Sequence, residues 1–262
     1  MRTTRFVLLT VIITTLLAVG YISHPWISTQ FLIKSLSQHE ITVDDIDPRD
    51  YFSQIVVSVD EVKFNDQRII LTEVVRSVTG SASSDLERAM LWTKFLQDKI
   101  VHPKRAPLLE NGQAIYSPIW ILREKFAHCG QTNRLILDGL ETIGIEGRMV
   151  QLTNHVIAEV LIDGKYIALD ADMLDSGNFF SDGYGGISSA LEIHLNPSLL
   201  EHLNNDVNLE YQKFGDIPRE QSYWVNTLRD YFSKPPYYYY KTATEGQLKN
   251  EYYGWNFYNT VH

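Results

Sequence analysis

Residues 155–172 read HVIAEVLIDGKYIALDAD, two apolar runs of period-two character joined by Asp163-Gly164. An Asp-Gly pair between such runs is the strongest short-range sign of a tight type I′ hairpin, because both turn positions need positive φ. With these two residues as the loop, Ile162 faces Lys165, and each step outward keeps that register. His155 then faces Asp172 and Ile157 faces Asp170. Alternate residues of a strand share a face, so Asp170 projects on the same side as His155, one diagonal step away. Both carboxylates can reach the imidazole. A one-residue change in the turn would reverse the face of both aspartates.

Working outward, Arg148 to Leu152 reads as a third strand. Before it, a helix is expected from Cys129, or just after it, to Ile143, with Ile136, Leu140 and Ile143 on one face and Gly144 as a left-handed stop. Further upstream, Ser84-Asp85-Leu86-Glu87 has the form of a capping box. It opens a helix to about Ile100, whose positions Leu86, Met90, Thr93, Leu96 and Ile100 make one apolar stripe that Trp92 and Phe95 would widen. Ser117-Pro118 opens another helix, to about Phe126, with Ser as N-cap and Pro at the first position. Helices followed by an antiparallel sheet define an α+β fold class, and nothing in the chain repeats. The expected organisation is an N-terminal membrane segment over 1–30, a leader over 31–80 that is strand or helix, a core over 81–192, and an aromatic-rich C-terminal region over 193–262.

The composition narrows the function. With 262 residues, 44% hydrophobic and 21% charged, the chain has material for one large or two modest packed domains, which excludes a disordered polypeptide. The formal charge of -9 and the lack of a basic cluster exclude the electrostatic footprint of a nucleic-acid binder. One cysteine cannot form an internal disulfide, and eight histidines scattered along the chain make no zinc-type spacing, so neither a cofactor nor a metal is expected.

Cys129 is therefore either a small buried hydrophobe or chemistry. A thiol at a helix N-terminus faces unsatisfied N–H groups and the positive end of the helix dipole, which favour thiolate. Gly130 beside it admits a substrate backbone, and the N–H groups of the first turn suit a developing oxyanion. A base oriented by a carboxylate, on a hairpin that packs its end against that thiol, has the logic of covalent acyl transfer.

The stretch from Pro118 through Asp170 resembles the core of the transglutaminase-like superfamily. Its pieces are Cys129-Gly130-Gln131 opening a helix, Gly144-Ile145-Glu146-Gly147-Arg148 after it, His155-Val156-Ile157-Ala158-Glu159-Val160, and Leu169-Asp170. The resemblance covers about a third of the chain, and it implies a papain-like fold with Cys129 as nucleophile, His155 as base and Asp170 as orienter. This chain departs from the family pattern at Ala127, where members often have Gly, and at Ile157, where they often have an aromatic residue. Relatives can use a tryptophan N–H as oxyanion donor, which makes Trp120 and Trp92 candidates beside their ordinary role in core packing. His128, next to the nucleophile, reads as solvated or as a tuner of the thiolate.

Outside that core, Phe6 to Ile22 is a dense apolar run preceded by Arg2 and Arg5, with no charged residue from Phe6 to Ile33. It reads as a single-pass anchor or, through Ala18-Val19-Gly20, as a cleavable signal peptide; Tyr21 and Trp26 favour the anchor. Either way the remainder crosses to the periplasmic or extracellular side, and it is secreted if the segment is cleaved. Asp182-Gly183-Tyr184-Gly185-Gly186 lacks the ending of a phosphate loop and reads as a flexible connection. Pro235-Pro236 suggests an extended segment at Tyr237 to Tyr240, and Trp224, Tyr252, Tyr253, Trp255, Phe257 and Tyr258 crowd the same region. The functional expectation is thiol-dependent acyl transfer or hydrolysis of an amide bond in a protein, peptide or envelope-polymer substrate. The alternative is a non-catalytic envelope module that binds a glycan or protein partner through the aromatic C-terminal region.

Overall fold

Asp163 and Gly164 both take positive φ, 50° and 79°, as a type I′ turn requires. The turn joins β4 (Val156–Ile162) to β5 (Lys165–Leu169), with Ile162 opposite Lys165 and Ala158 opposite Leu169, the register expected from the sequence. In this computed structural model residues 52–62, 67–174, 177–203 and 221–240 are described, together with Lys34 and Arg49; at 221–224, 239 and 240 the description is of the backbone.

Strand β3 (Gly147–Gln151) runs antiparallel to β4 and β6 (Tyr237–Tyr240) runs antiparallel to β3, giving a four-stranded sheet of order β5-β4-β3-β6. The tyrosine run after the two prolines is thus an edge strand. A separate two-stranded parallel ribbon is made by β1 (Val56–Val57) and β2 (Leu108–Leu109).

The helices form where local chemistry starts and stops them. Helix α1 (Gln67–Thr79) lies in the stretch read as a leader, and its Leu71, Val74 and Val75 enter the main core. Helix α2 (Asp85–Lys99) begins at Ser84, whose hydroxyl accepts the Glu87 N–H; the Glu87 carboxylate caps Ser83 rather than Ser84. Helix α3 (Pro118–Glu124) starts under Ser117 as expected but stops two residues early, because Lys125 takes the left-handed conformation at φ 65°. Helix α4 (Cys129–Thr142) ends before Gly144 at φ 88°. Helices α5 (Ala190–Leu195) and α6 (Gln221–Tyr231) complete the set, with short 3-10 turns at Asp60–Val62 and Pro197–His202.

Helix α4 packs on β3 and β4, and α1 and α2 pack on α4. At Gly139 an added Cβ would sit 2.4 Å from Trp92 Nε1, so α2 and α4 can pack there only because that position lacks a side chain. Strand β4 is buried along nearly its whole length, as an interior strand of a sheet covered on both faces. Among the described residues no helix is long and apolar enough to cross a membrane. The apolar run from Phe6 to Ile22 lies outside them, as do Tyr252, Tyr253, Trp255, Phe257 and Tyr258.

Candidate active site

Three elements meet at one end of the sheet. Cys129 is the first residue of α4, His155 immediately precedes β4, and Asp170 immediately follows β5. The chain turns sharply into β4 through Asn154 at φ 61°, and the Leu152 N–H donates to the His155 carbonyl at 2.8 Å, which fixes the backbone under the imidazole. His155 Nε2 donates to Asp170 Oδ2 at 2.7 Å, and a ring nitrogen of the same imidazole lies within 4.8 Å of Cys129 Sγ. Nε2 being engaged by the carboxylate, the thiol is left to Nδ1. The structure therefore brings together Cys129, His155 and Asp170, the three residues singled out from the sequence.

Burial of Asp170 is complete, and burial alone would raise its pKa. His155 opposes this, aided by the Asp172 N–H and Asn133; the net effect holds the carboxyl below its usual range. Oδ1 accepts from Asn133 Nδ2 at 3.1 Å, Asp172 N at 2.9 Å and Met173 N at 3.2 Å. Asn133 sits one turn after Cys129 on α4; its Nδ2 also donates to the Val156 carbonyl, and its Oδ1 accepts the Ala171 N–H. From α2, Gln97 Nε2 donates to the Asp170 carbonyl at 2.9 Å. For the imidazole, desolvation pushes the pKa down, but the Asp170 charge and hydrogen bond, with the nearby Cys129, outweigh it and hold His155 well above its ordinary value. Tyr231 at the end of α6 stacks on the imidazole with ring centroids 5.0 Å apart, shielding the His155–Asp170 bond from water.

Helix α4 meets the thiol with its N-terminal turn. The N–H groups of Gln131 and Thr132 go to the His128 carbonyl, whereas those of Cys129 and Gly130 make no hydrogen bond among the described residues. These two are the donors available to an oxyanion. Trp92 is not a donor to this site: its Nε1 donates to the Leu135 carbonyl at 3.3 Å inside the core. Trp120 is 1% exposed and packs in the core cluster.

A second imidazole–carboxylate pair flanks the first. His102 Nδ1 lies 2.6 Å from Asp172 Oδ1, and the His102 ring stacks on His128 at 4.1 Å between centroids. His128 is half-buried and not solvated; its Nε2 donates to the Pro103 carbonyl at 2.8 Å. Desolvation first, and then the neighbouring His102, push its pKa down to about 4, against the Pro103 bond and the Asp172 charge. Sequence reasoning did not find His102, Asn133 or Gln97. Asp172 was reached through the hairpin register, but its partner lies 70 residues upstream in a proline-rich loop without periodicity.

No family model matches the chain, and no curated protein matches it. Among solved structures it is similar to a "putative cysteine protease" from Cytophaga hutchinsonii, with 16% identity and a TM-score of 0.35 over 50% of this chain and 44% of that one. It is also similar to a "putative protease" from Parabacteroides distasonis ATCC 8503, with 13% identity and a TM-score of 0.33 over 42% of this chain and 24% of that one. The chain thus spans less than half the length of either protein.

Proposed function

We propose that this chain is a thiol-dependent enzyme of transglutaminase-like type that cleaves or transfers the acyl group of an amide. The observation that carries the reading is the 2.7 Å bond from His155 Nε2 to a fully buried, four-times hydrogen-bonded Asp170, on an imidazole whose ring lies within 4.8 Å of Cys129 Sγ. A buried imidazole held protonated beside a thiol supplies the positive partner that a thiolate nucleophile needs.

In this mechanism Cys129 Sγ attacks the carbonyl carbon, and the oxyanion is met by the Cys129 and Gly130 N–H groups. His155 gives its Nδ1 proton to the leaving nitrogen as the C–N bond breaks, leaving an acyl-thioester. Water or an amine then attacks the thioester, losing its proton to His155, and the thiolate returns. Asp170 keeps the ring oriented throughout. Hydrolysis and transfer share every step but the choice of acceptor. A protein, peptide or envelope polymer is the substrate this reading assigns. The run from Phe6 to Ile22 tethers the enzyme to a membrane, with Arg2 and Arg5 on the cytoplasmic side and the thiol across it.

The test needs no substrate. The full chain, purified in mild detergent, is alkylated with iodoacetamide across a pH series and compared with His155→Ala. Alkylation should persist well below the midpoint of a free thiol, about 8.5, and should fall on the order of 100-fold at acid pH when His155 is lost. A profile like that of a free cysteine in the parent protein sinks the enzyme and leaves the non-catalytic envelope module as the better account.

A further inference from the structure

Asp172 is the one acidic group at this site that the acyl mechanism does not use. Its carboxylate, Cys129 Sγ and a ring nitrogen of His155 all lie within 4.8 Å of one another. We propose that Cys129, His155 and Asp172 form a three-ligand zinc site that reversibly blocks the thiol. The proposal rests on the enzyme reading only for its consequence, inhibition, and not for the site itself.

The donor set selects the ion. One thiolate, one imidazole and one carboxylate suit Zn²⁺, whereas Ca²⁺ and Mg²⁺ ask for a shell of oxygens. Tetrahedral zinc with bonds of about 2.0–2.3 Å needs ligand atoms roughly 3.4–3.7 Å apart, so the widest separation must close by about an ångström. Cys129 is half-buried and has one torsion with which to make that adjustment; His155 and Asp172 are 3% and 4% exposed and held in place.

Both held ligands have the outer partner that zinc ligands characteristically carry. Asp170 fixes His155 through Nε2, which leaves Nδ1 to the metal, and His102 fixes Asp172 through Oδ1. His102 is in turn stacked on His128. Two carboxylate–imidazole pairs thus converge on one thiol, with three protein ligands and a fourth position toward the open side of Cys129, the arrangement of an exchangeable rather than a structural zinc site. The ligands come from the start of a helix, the start of a strand and the residues after a hairpin, which is why no sequence spacing announces them. Zinc would take the lone pairs of Sγ and Nδ1, the nucleophile and the acid of the proposed reaction, so metal and substrate exclude each other. The occupied thiolate would also be protected from oxidation.

The test uses the metal-free full chain in mild detergent. Co²⁺ should add a thiolate-to-cobalt charge-transfer band and tetrahedral visible bands with a one-to-one end point, absent in Cys129→Ala and erased by Zn²⁺. Zn²⁺ should slow iodoacetamide alkylation where Mg²⁺ and Ca²⁺ do not. Asp172→Asn should weaken zinc about 10–100-fold and His102→Gln about 10-fold, read by competition with a chromophoric zinc indicator. A parent protein without the cobalt band overturns the site, as does zinc protection of equal strength in Asp172→Asn. If Asp172→Asn loses its folded circular-dichroism spectrum, the parent cobalt spectrum and His102→Gln decide. The two readings separate cleanly: a cobalt band with an ordinary thiol profile removes the enzyme and keeps the site, and an acid-active thiol without a cobalt band does the reverse.

Discussion

Two ion pairs with fully buried carboxylates sit on the same sheet and are finished in opposite ways. At one, Arg148 on β3 donates from Nε and Nη2 to Glu159 Oε2 at 2.8 and 2.6 Å, and the Ala190 N–H donates to Oε1 at 2.7 Å. The guanidinium is sandwiched between Tyr166 and Tyr238, 3.6 and 3.8 Å from the ring centroids. Tyr166 is on β5 and Tyr238 on β6, so this pair ties all four strands. At the other, Asp170 is equally saturated, but His155 keeps one nitrogen for a half-buried thiol. Burial of charge is common to both. The difference lies in the open edge: Arg148 is held between two rings against a fully buried carboxylate, whereas the His155 pair leaves one side toward Cys129, as the proposed proton transfer requires.

The largest expected effect breaks the closed pair. Arg148→Ala leaves the fully buried Glu159 carboxylate without its cation, and should cost about 3–5 kcal/mol in urea unfolding. Replacing both partners by Met should recover part of that loss, since removing the pair together leaves no orphan charge but does leave the Ala190 N–H without its acceptor. The alkylation profile of Cys129 in the double variant should match the parent. A shifted profile would mean that the two pairs are coupled through the sheet and that the contrast between them is false.

What could be read in the sequence was what local chemistry writes. The Asp163-Gly164 turn fixes its own backbone, and two strands of period two then have one register, which places His155, Asp170 and Asp172 together. Ser84, Ser117 and Gly144 mark helix ends by hydrogen bonds and backbone conformation that act within a few residues. The remainder depends on packing between distant segments. Asn133 reaches Asp170 over 37 positions and Gln97 reaches its carbonyl over 73, and neither residue type announces a buried role in a helix. His128 looked solvated because its cover, His102 and Pro103, comes from a loop whose path no pattern predicts. Helix α1 was illegible as part of the core because QRIILTEVVRSVT suits a strand or a helix equally well until there are partners to pack on.

An intermediate effect sharpens the open pair. Asn133→Ala removes one of three donors to Asp170 Oδ1 and leaves the Ala171 N–H without its acceptor, so it should cost about 1–3 kcal/mol in thermal or urea unfolding. Its second readout separates positioning from mere packing. With Asp170 less firmly held, His155 should lose part of its raised proton affinity, and alkylation of Cys129 should fall at acid pH while staying near parental at alkaline pH. An equal fall at all pH values would assign Asn133 to packing alone.

The smallest effect concerns the imidazole that belongs to neither pair. His128 borders Cys129 in sequence, yet desolvation and His102 keep it neutral in the folded state, with a pKa of about 4. An unfolded histidine takes its proton near pH 6.5. Between these values the unfolded chain binds a proton that the folded chain refuses, so this contribution to stability is complete above about pH 6.5, declines as pH falls, and changes no further below about 4. His128→Gln retains a donor for the Pro103 carbonyl and has no proton to gain. The stability of the parent relative to His128→Gln should therefore drop by on the order of 1–3 kcal/mol between pH 7 and pH 4, after allowance for partial exposure. A difference that stays constant over that range would mean that His128 titrates as an exposed ring. A second cation would then stand beside the thiol at mildly acid pH, and the proposed activation of Cys129 could no longer be assigned to His155 alone.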